Sequence, residues 1–160
     1  MRVRERNGSA SGGGDPSESF VLELPSDLRY IDAAVTYLVN RCRDFDYEGS
    51  RLTLNFRVGV AEALANAMLY GNDGDPRKRV HVEVELTRAH VSVLVRDEGN
   101  GFDPDTVPDP TLPENLERPG GRGIFLLREL MDEVDYNECG NCVRLVLHRN
   151  GPAPRRRSSA

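Results

Sequence analysis

The stretch VAEALANAMLYGN, residues 60–72, decides the fold class and the chemistry that we expect of this chain. Its apolar residues recur at helical spacing from Ser50 onward, and the breaker-rich GNDGDP at residues 71–76 ends the predicted helix. Glu62 and Asn66 are four residues apart, so they lie on one helix face, one turn apart. A carboxylate can accept a proton and a carboxamide oxygen can bind Mg²⁺, whereas the same pair on a solvated face would only hydrogen-bond to each other. Both interpretations stay open on this motif alone.

The segments on either side of this helix favour strands and helices in alternation. Apolar residues with period two predict a hairpin at residues 80–86 and 91–95. Ser26 is expected to cap a first helix, and an apolar run predicts a third. The other predicted elements are strands at 19–24, 134–136 and 143–148, and the third helix at 123–134. Because the strands pair locally, we expect an α+β two-layer sandwich, with helices on one face of a mostly antiparallel sheet.

A second motif, DEGNG at residues 97–101, directly follows the strand predicted at 91–95. An Asp97 side chain at a strand end lies at the mouth of the sheet, where it can accept a hydrogen bond from an exocyclic amine. Gly99 and Gly101 leave room for a flat ring to approach the backbone. An ordinary glycine-rich turn is the alternative interpretation.

A third motif, GGRG at residues 120–123, precedes the third predicted helix. The free N–H groups of such a turn, together with the helix dipole, can bind an anion, although a flexible loop end would have the same composition. A P-loop is excluded because its lysine is missing, the only lysine of the chain being Lys78. A Rossmann fingerprint is excluded because these glycines follow the proline-rich loop 102–119 rather than a strand.

Length and composition exclude several classes of protein. With 160 residues the chain has enough sequence for one domain. No stretch approaches the roughly 20 apolar residues of a membrane-spanning helix, and the first 15 residues have no apolar core of a secretory signal. Three cysteines are too few for a disulfide scaffold, so we expect a reducing, cytoplasmic setting.

The charge is acidic and unevenly distributed. The chain has 21 basic and 26 acidic residues, and three basic residues lie before residue 15 and three after residue 149. The intervening part is therefore strongly acidic, which disfavours direct nucleic-acid binding and suits a basic protein partner or a site that uses Mg²⁺. We expect a disordered glycine- and serine-rich arm at residues 1–18, one folded domain at 19–149, and a disordered basic tail at 150–160.

The three motifs in this order resemble the GHKL ATPase superfamily, whose nucleotide site is the Bergerat fold. Within it, the chain is similar to the small bacterial anti-sigma factor serine kinases of the SpoIIAB and RsbW type. The local matches are VAEALANAMLYGN at 60–72, VRDEGNGFDP at 95–104 and GGRGIFLLRELMDEVDY at 120–136. The likeness covers about residues 19–148.

The resemblance implies roles for individual residues. Glu62 would be the general base for an attacking hydroxyl, and Asn66 would bind the nucleotide through the Mg²⁺ that it ligates. Asp97 would accept a hydrogen bond from the adenine amino group of ATP or ADP. Gly99 and Gly101 would let the base and sugar lie close to the backbone, and residues 102–119 would form the lid over ATP. Three residues at the start of the third helix would hold the phosphates: Gly121, Arg122 and Gly123.

The same resemblance implies an activity and partners. The chain would be an ATP- and Mg²⁺-dependent protein-serine kinase that also sequesters a sigma factor, and so regulates bacterial transcription. Its phosphate acceptor would be a STAS-domain anti-anti-sigma protein, and it would form a homodimer through the first helix and early strand. The alternative is a non-catalytic nucleotide-binding module that binds a partner without phosphoryl transfer. A histidine-kinase catalytic domain is disfavoured because no histidine lies in a long helical segment.

Two positions depart from the family pattern. Tyr70 stands where relatives often have histidine, and Cys142 stands where they usually have threonine near the phosphates. Cys139 and Cys142 also spell CxxC. We expect a hairpin turn there rather than a metal or redox site, because strands flank it and Gly140-Asn141 favours a two-residue turn.

Overall fold

The computed structural model describes residues 1–6, 16–100 and 121–151 of the chain. Within these ranges the strands are β1 (Arg2–Arg6), β2 (Ser17–Pro25), β3 (Arg79–Thr87), β4 (His90–Arg96), β5 (Glu133–Tyr136) and β6 (Cys142–His148). The α-helices are α1 (Ile31–Asp44), α2 (Arg57–Asn66) and α3 (Gly121–Leu130). The predicted α+β class is confirmed.

The strands form a single six-stranded sheet in the order β1-β2-β3-β4-β6-β5, and every neighbouring pair is antiparallel. The predicted hairpin is β3–β4, in which Val84 lies opposite Val93. Its turn is closed by the Thr87 hydroxyl, which accepts from the N–H groups of Ala89 and His90 at 3.2 and 3.1 Å. The two segments with period-two alternation therefore form the predicted hairpin, and this hairpin lies at the centre of the sheet.

One face of the sheet carries the core, and the helices cover that face. Alternate residues of β2 and β3 are buried, because successive side chains point to opposite faces. The strand side chains of this core include Phe20, Leu22, Val82, Val84, Val93, Leu145 and Leu147, and the helix side chains include Val35, Leu38, Val60, Leu64 and Leu127. The layer arrangement predicted from the sequence is confirmed.

The long helix predicted from Ser50 is one continuous helical run with two π-helical ends. Arg51–Phe56 and Ala67–Gly71 are π-helical and flank α2. Gly59 lets this run approach the end of α3 closely, since a Cβ there would lie 2.9 Å from the Met131 sulfur. The helix that carries Glu62 is thus fixed against both the sheet and α3.

The first six residues correct one sequence expectation. Arg2–Arg6 is a strand on the edge of the sheet, paired with β2, whereas the sequence predicts disorder over residues 1–18. Two ion pairs accompany the pairing, from Glu5 to Arg41 at 3.8 Å and from Arg6 to Glu83 at 3.3 Å. The prediction was wrong for β1 and for the start of β2. The edge of a sheet has unpaired backbone N–H and C=O groups that can hydrogen-bond to a short polar segment, and amino-acid composition alone does not indicate such pairing.

The helix ends also differ from the prediction. Asp27, not Ser26, caps the first helical turn, a 3₁₀ turn at Leu28–Tyr30, and its carboxylate accepts from the Arg29 N–H at 3.0 Å. The third helix begins at Gly121 and ends at Leu130, earlier than the predicted 123–134. The loop predicted at 102–119 lies outside the described residues. Among the helices that are described, none is long and apolar enough to cross a membrane.

Candidate active site

Asp97 directly follows β4, at the mouth of the sheet as predicted. Its backbone N–H donates to the carbonyl of Asn141 at 3.0 Å, and its Oδ1 accepts from the N–H of Gly99 at 2.8 Å. Burial raises the pKa of Asp97 above its usual value, while the Gly99 hydrogen bond and the charge of Lys78 lower it. The backbone thus orients a partly buried carboxylate that can accept a hydrogen bond.

Two glycines bring the end of the second helical run against the Asp97 turn. A Cβ on Gly71 would lie 2.2 Å from Asp97 Oδ2, so only glycine leaves room for this carboxylate. A Cβ on Gly99 would lie 1.8 Å from the Gly71 carbonyl oxygen, so the two backbones are in direct contact. The first and second motifs therefore meet, although Gly71 and Asp97 are 26 positions apart in the sequence.

Glu62 and Asn66 lie on consecutive turns of α2, as their spacing predicts, and both are half-buried. Buried alanine and leucine side chains next to them, Ala63 and Leu64, hold this helix on the core. Burial raises the pKa of Tyr136 to about 12, an effect that Arg128 opposes and Glu62 strengthens. The charge of Glu62 therefore acts on Tyr136 of β5.

The sequence matches the model of a protein family described as the histidine kinase-like ATPase domain over residues 24–147. That range is well over half of the chain. The chain belongs to the histidine kinase-like ATPase domain family.

Relatives of this domain include proteins named as a serine-protein kinase and as anti-sigma F factors. The serine-protein kinase RsbW of Oceanobacillus iheyensis is 26% identical over 125 residues, which cover 72% of this chain and 77% of that protein. The anti-sigma F factors of Bacillus cytotoxicus and Bacillus thuringiensis are 41% and 40% identical over 80 residues. Those two matches cover 48% of this chain and 53%, about half, of each relative. The predicted resemblance to GHKL ATPases, and within them to the SpoIIAB and RsbW type, is confirmed.

The third motif of this ATPase domain opens α3, as the sequence predicts. Gly121 is the first residue of that helix, and Arg122 and Gly123 lie in its first turn. Leu127 of the same helix is fully buried, so the core fixes the body of α3. Gly101 lies outside the described residues, and its role stays a prediction.

The CxxC segment forms the connection between β5 and β6. Asn137 and Cys142 close it, with the Asn137 N–H donating to the Cys142 carbonyl at 3.0 Å, and Gly140 has a positive φ of 74°. The connection is residues 137–141, longer than the two-residue turn that the sequence predicts, because Asn137 caps it with its own side chain at 3.2 Å from the Cys142 nitrogen. Among the described residues no group of three or more His, Cys, Asp and Glu side chains could hold a metal ion.

Sequence reasoning missed three residues around the Asp97 turn. Gly71 and Asn72 were interpreted only as breakers that end a helix, and Asn141 only as part of a turn. Asn141 donates from its side chain to the Gly99 carbonyl at 3.5 Å, in addition to its backbone bond to Asp97. The glycine and asparagine at the end of the first motif are the sequence feature that could have indicated this contact. Glycine allows two backbones to approach closely, and asparagine often hydrogen-bonds to nearby backbone groups.

Proposed function

We propose that this histidine kinase-like ATPase domain is an ATP-dependent protein-serine kinase that also acts as an anti-sigma factor. The observation that supports the proposal is the contact of Gly71 with the Asp97 carboxylate, because Gly71 ends the helical run that carries Glu62 and Asn66. The resemblance to proteins named serine-protein kinase and anti-sigma F factor supports the same function.

The residues present fit an adenine nucleotide with Mg²⁺. Asp97 offers an oriented acceptor for an exocyclic amine, because Gly99 donates to its Oδ1 and the contact between Gly71 and Gly99 holds the turn in place. Asn66 supplies a carboxamide oxygen, which is a ligand type that Mg²⁺ accepts. Gly121, Arg122 and Gly123, at a helix start, suit phosphate groups. When bound, Mg²⁺ would neutralise phosphate charge, which the acidic chain does not do by itself.

The chemical step assigned to this chain's own residues is a proton transfer. Glu62 would accept the proton of the serine hydroxyl as its oxygen attacks the terminal phosphorus of ATP. The bond from that phosphorus to the bridging oxygen would break, and ADP would leave with the bond's electron pair. The half-buried setting of Glu62 limits competing water. Asp97 would select adenine and Asn66 would hold the metal. These two residues would therefore contribute binding and orientation rather than proton transfer.

The proposed partners follow the names of the relatives and the family resemblance. A sigma factor would be bound and held inactive, and a STAS-domain anti-anti-sigma protein would supply the acceptor serine. We expect a cytoplasmic homodimer whose folded unit is residues 19–149 with β1 added at the sheet edge. Comigration with a sigma factor on size-exclusion chromatography, and the mass of the free protein by sedimentation, would test these two points.

The kinase proposal is tested by Mg²⁺-dependent transfer of labelled phosphate from ATP to a STAS-domain protein encoded beside this chain. Glu62→Gln should lower the transfer rate by at least about 100-fold while ATP affinity changes by less than about threefold. Glu48→Gln is the matched control, because Glu48 is exposed on the connection after α1. It should leave the rate unchanged.

Two results would point elsewhere. A wild-type protein that binds ATP but transfers no phosphate to the serine would favour the non-catalytic regulator. A Glu62→Gln protein as active as wild type would remove Glu62 from the role of base. Intact Glu62 and Asn66 in one half-buried helical face are the reason for preferring the kinase.

A further inference from the structure

Asn72 is a fully buried polar side chain that the proposed reaction does not use. Its exposed fraction is 0%, and it follows directly after the helical run that ends at Gly71. A buried carboxamide is costly unless its donors and acceptor are satisfied. Its hydrogen bonds therefore indicate what it does.

The side chain of Asn72 joins three separate segments. Its Nδ2 donates to the Ser26 hydroxyl at 2.7 Å and to the Arg79 carbonyl at 3.0 Å, and its Oδ1 accepts from the Glu98 N–H at 2.8 Å. A carbonyl can only accept and a backbone N–H can only donate, so these partners fix the orientation of the amide. Asn72 thus connects the end of β2, the start of β3 and the turn after β4.

The Glu98 N–H that Asn72 holds lies between the two residues that matter for base recognition. Asp97 precedes it, and Gly99, whose N–H orients the Asp97 carboxylate, follows it. The turn is held on its other side by Asn141, which accepts from the Asp97 N–H. The Glu98 carboxylate in turn accepts from the Arg79 N–H, so the turn is linked to β3 once directly and once through Asn72.

We propose that Asn72 is a positioning residue for adenine recognition, because it fixes the peptide that follows Asp97 and thereby the direction of the Asp97 carboxylate. The inference rests on the proposed nucleotide-binding function. Asn72 has no direct contact with the base in this role. Replacing it should cost selectivity for the amino group as well as stability, whereas a purely structural asparagine would cost stability alone.

The selectivity test compares the affinities of ADP and inosine diphosphate, which has an oxygen in place of the adenine amino group. In Asn72→Ala, the Kd for ADP should rise about tenfold and that for inosine diphosphate much less, so the ratio falls toward one. Asn55→Ala is the matched control, since the Asn55 amide also donates to a backbone carbonyl, that of Leu130, at 3.1 Å. It should lower the melting temperature and leave the ratio unchanged.

A second measurement needs no nucleotide. The Glu98 amide should exchange its hydrogen at least about tenfold faster in Asn72→Ala than in wild type, since its acceptor is gone. Asn72→Asp retains an acceptor of the same size for Glu98 but places an oxygen against the Arg79 carbonyl. It should melt earlier than wild type, keep the Glu98 amide protected and keep the preference for ADP, which separates selectivity from stability.

The outcomes separate the two proposals. If wild type prefers ADP and a folded Asn72→Ala retains that preference, the role of Asn72 is refuted and the nucleotide site stands. If Asn72→Ala does not fold, Asn72→Asp decides: loss of the ADP preference with Glu98 still protected refutes the inference. If wild type binds neither nucleotide, or both equally, the proposed function and this inference fail together, and the exchange result reports only on the turn.

Discussion

Adding one methyl group at Gly71 should separate nucleotide binding from folding. In Gly71→Ala the new Cβ would lie 2.2 Å from Oδ2, 2.3 Å from Cγ and 2.8 Å from Cβ of Asp97. The carboxylate would have to move by about 1 Å to restore van der Waals contact. It cannot do so freely, because its Oδ1 is bound to the Gly99 N–H and its backbone to Asn141.

The magnitude follows from two opposing effects on stability. Crowding a packed site costs about 1–3 kcal/mol, and replacing glycine by alanine near a helix end returns up to about 1 kcal/mol. We expect a net loss of about 1–2 kcal/mol, or roughly 3–6 °C in melting temperature for a domain of this size. If Asp97 recognises the base as proposed, loss of that hydrogen bond should raise the Kd for ADP by about 10- to 100-fold.

Calorimetric titration with ADP and thermal unfolding measure the two effects. Gly59→Ala is the control, because it makes the same change on the same helical run but meets the flexible Met131 thioether at 2.9 Å. It should keep wild-type affinity. Gly71→Ala protein that binds ADP as tightly as wild type would refute the proposal that the Asp97 carboxylate in this position recognises the base.

Three further substitutions test other contacts. Burial raises the pKa of Asp97, so the folded state favours the protonated carboxyl and loses stability as the pH rises through that pKa. Asp97→Asn should therefore have a higher melting temperature than wild type at neutral pH and the same melting temperature below the usual aspartate pKa. It should also bind ADP weakly. Asp132→Ala should lower the free energy of unfolding in urea by about 2 kcal/mol without changing ADP affinity, because the His148 N–H loses its acceptor and Arg51 keeps only its bond to the His148 carbonyl at 3.4 Å. Tyr47→Phe should cost about 1 kcal/mol at neutral pH, since the hydroxyl donates to a carbonyl at 2.8 Å. Burial raises the pKa of Tyr47 to about 12, so wild type loses folding stability as the pH rises above the usual tyrosine pKa of about 10. Tyr47→Phe should lose less stability over the same pH range. Equal losses in the two proteins would contradict this assignment.

The elements of this fold were largely predictable from the sequence. The β3–β4 hairpin follows from period-two alternation, and the long second helix follows from its apolar spacing. Arg2–Arg6 was not predictable, because a short arginine-rich segment has no apolar pattern of its own. It is a strand only because β2 offers an unpaired edge and Arg41 and Glu83 lie within reach of its charges.

The candidate site was predictable only in part. The placement of Glu62 and Asn66 on one helix face is a property of four consecutive peptide units, so spacing alone determines it. The contact of Gly71 with Asp97 depends on where the second helical run ends relative to the end of β4, and no local pattern encodes that distance.

The sequence by itself determined the order of strands and helices from β2 onward, the pair on α2, the carboxylate after β4 and the glycines that open α3. Only the tertiary structure decided that Asn72, Gly71 and Asn141 surround the Asp97 turn. The physical reason is the separation along the chain over which each kind of interaction acts. Helical and strand periodicity arise from backbone geometry within a few residues, whereas a buried amide that joins Ser26, Arg79 and Glu98 acquires its function from segments that folding brings together.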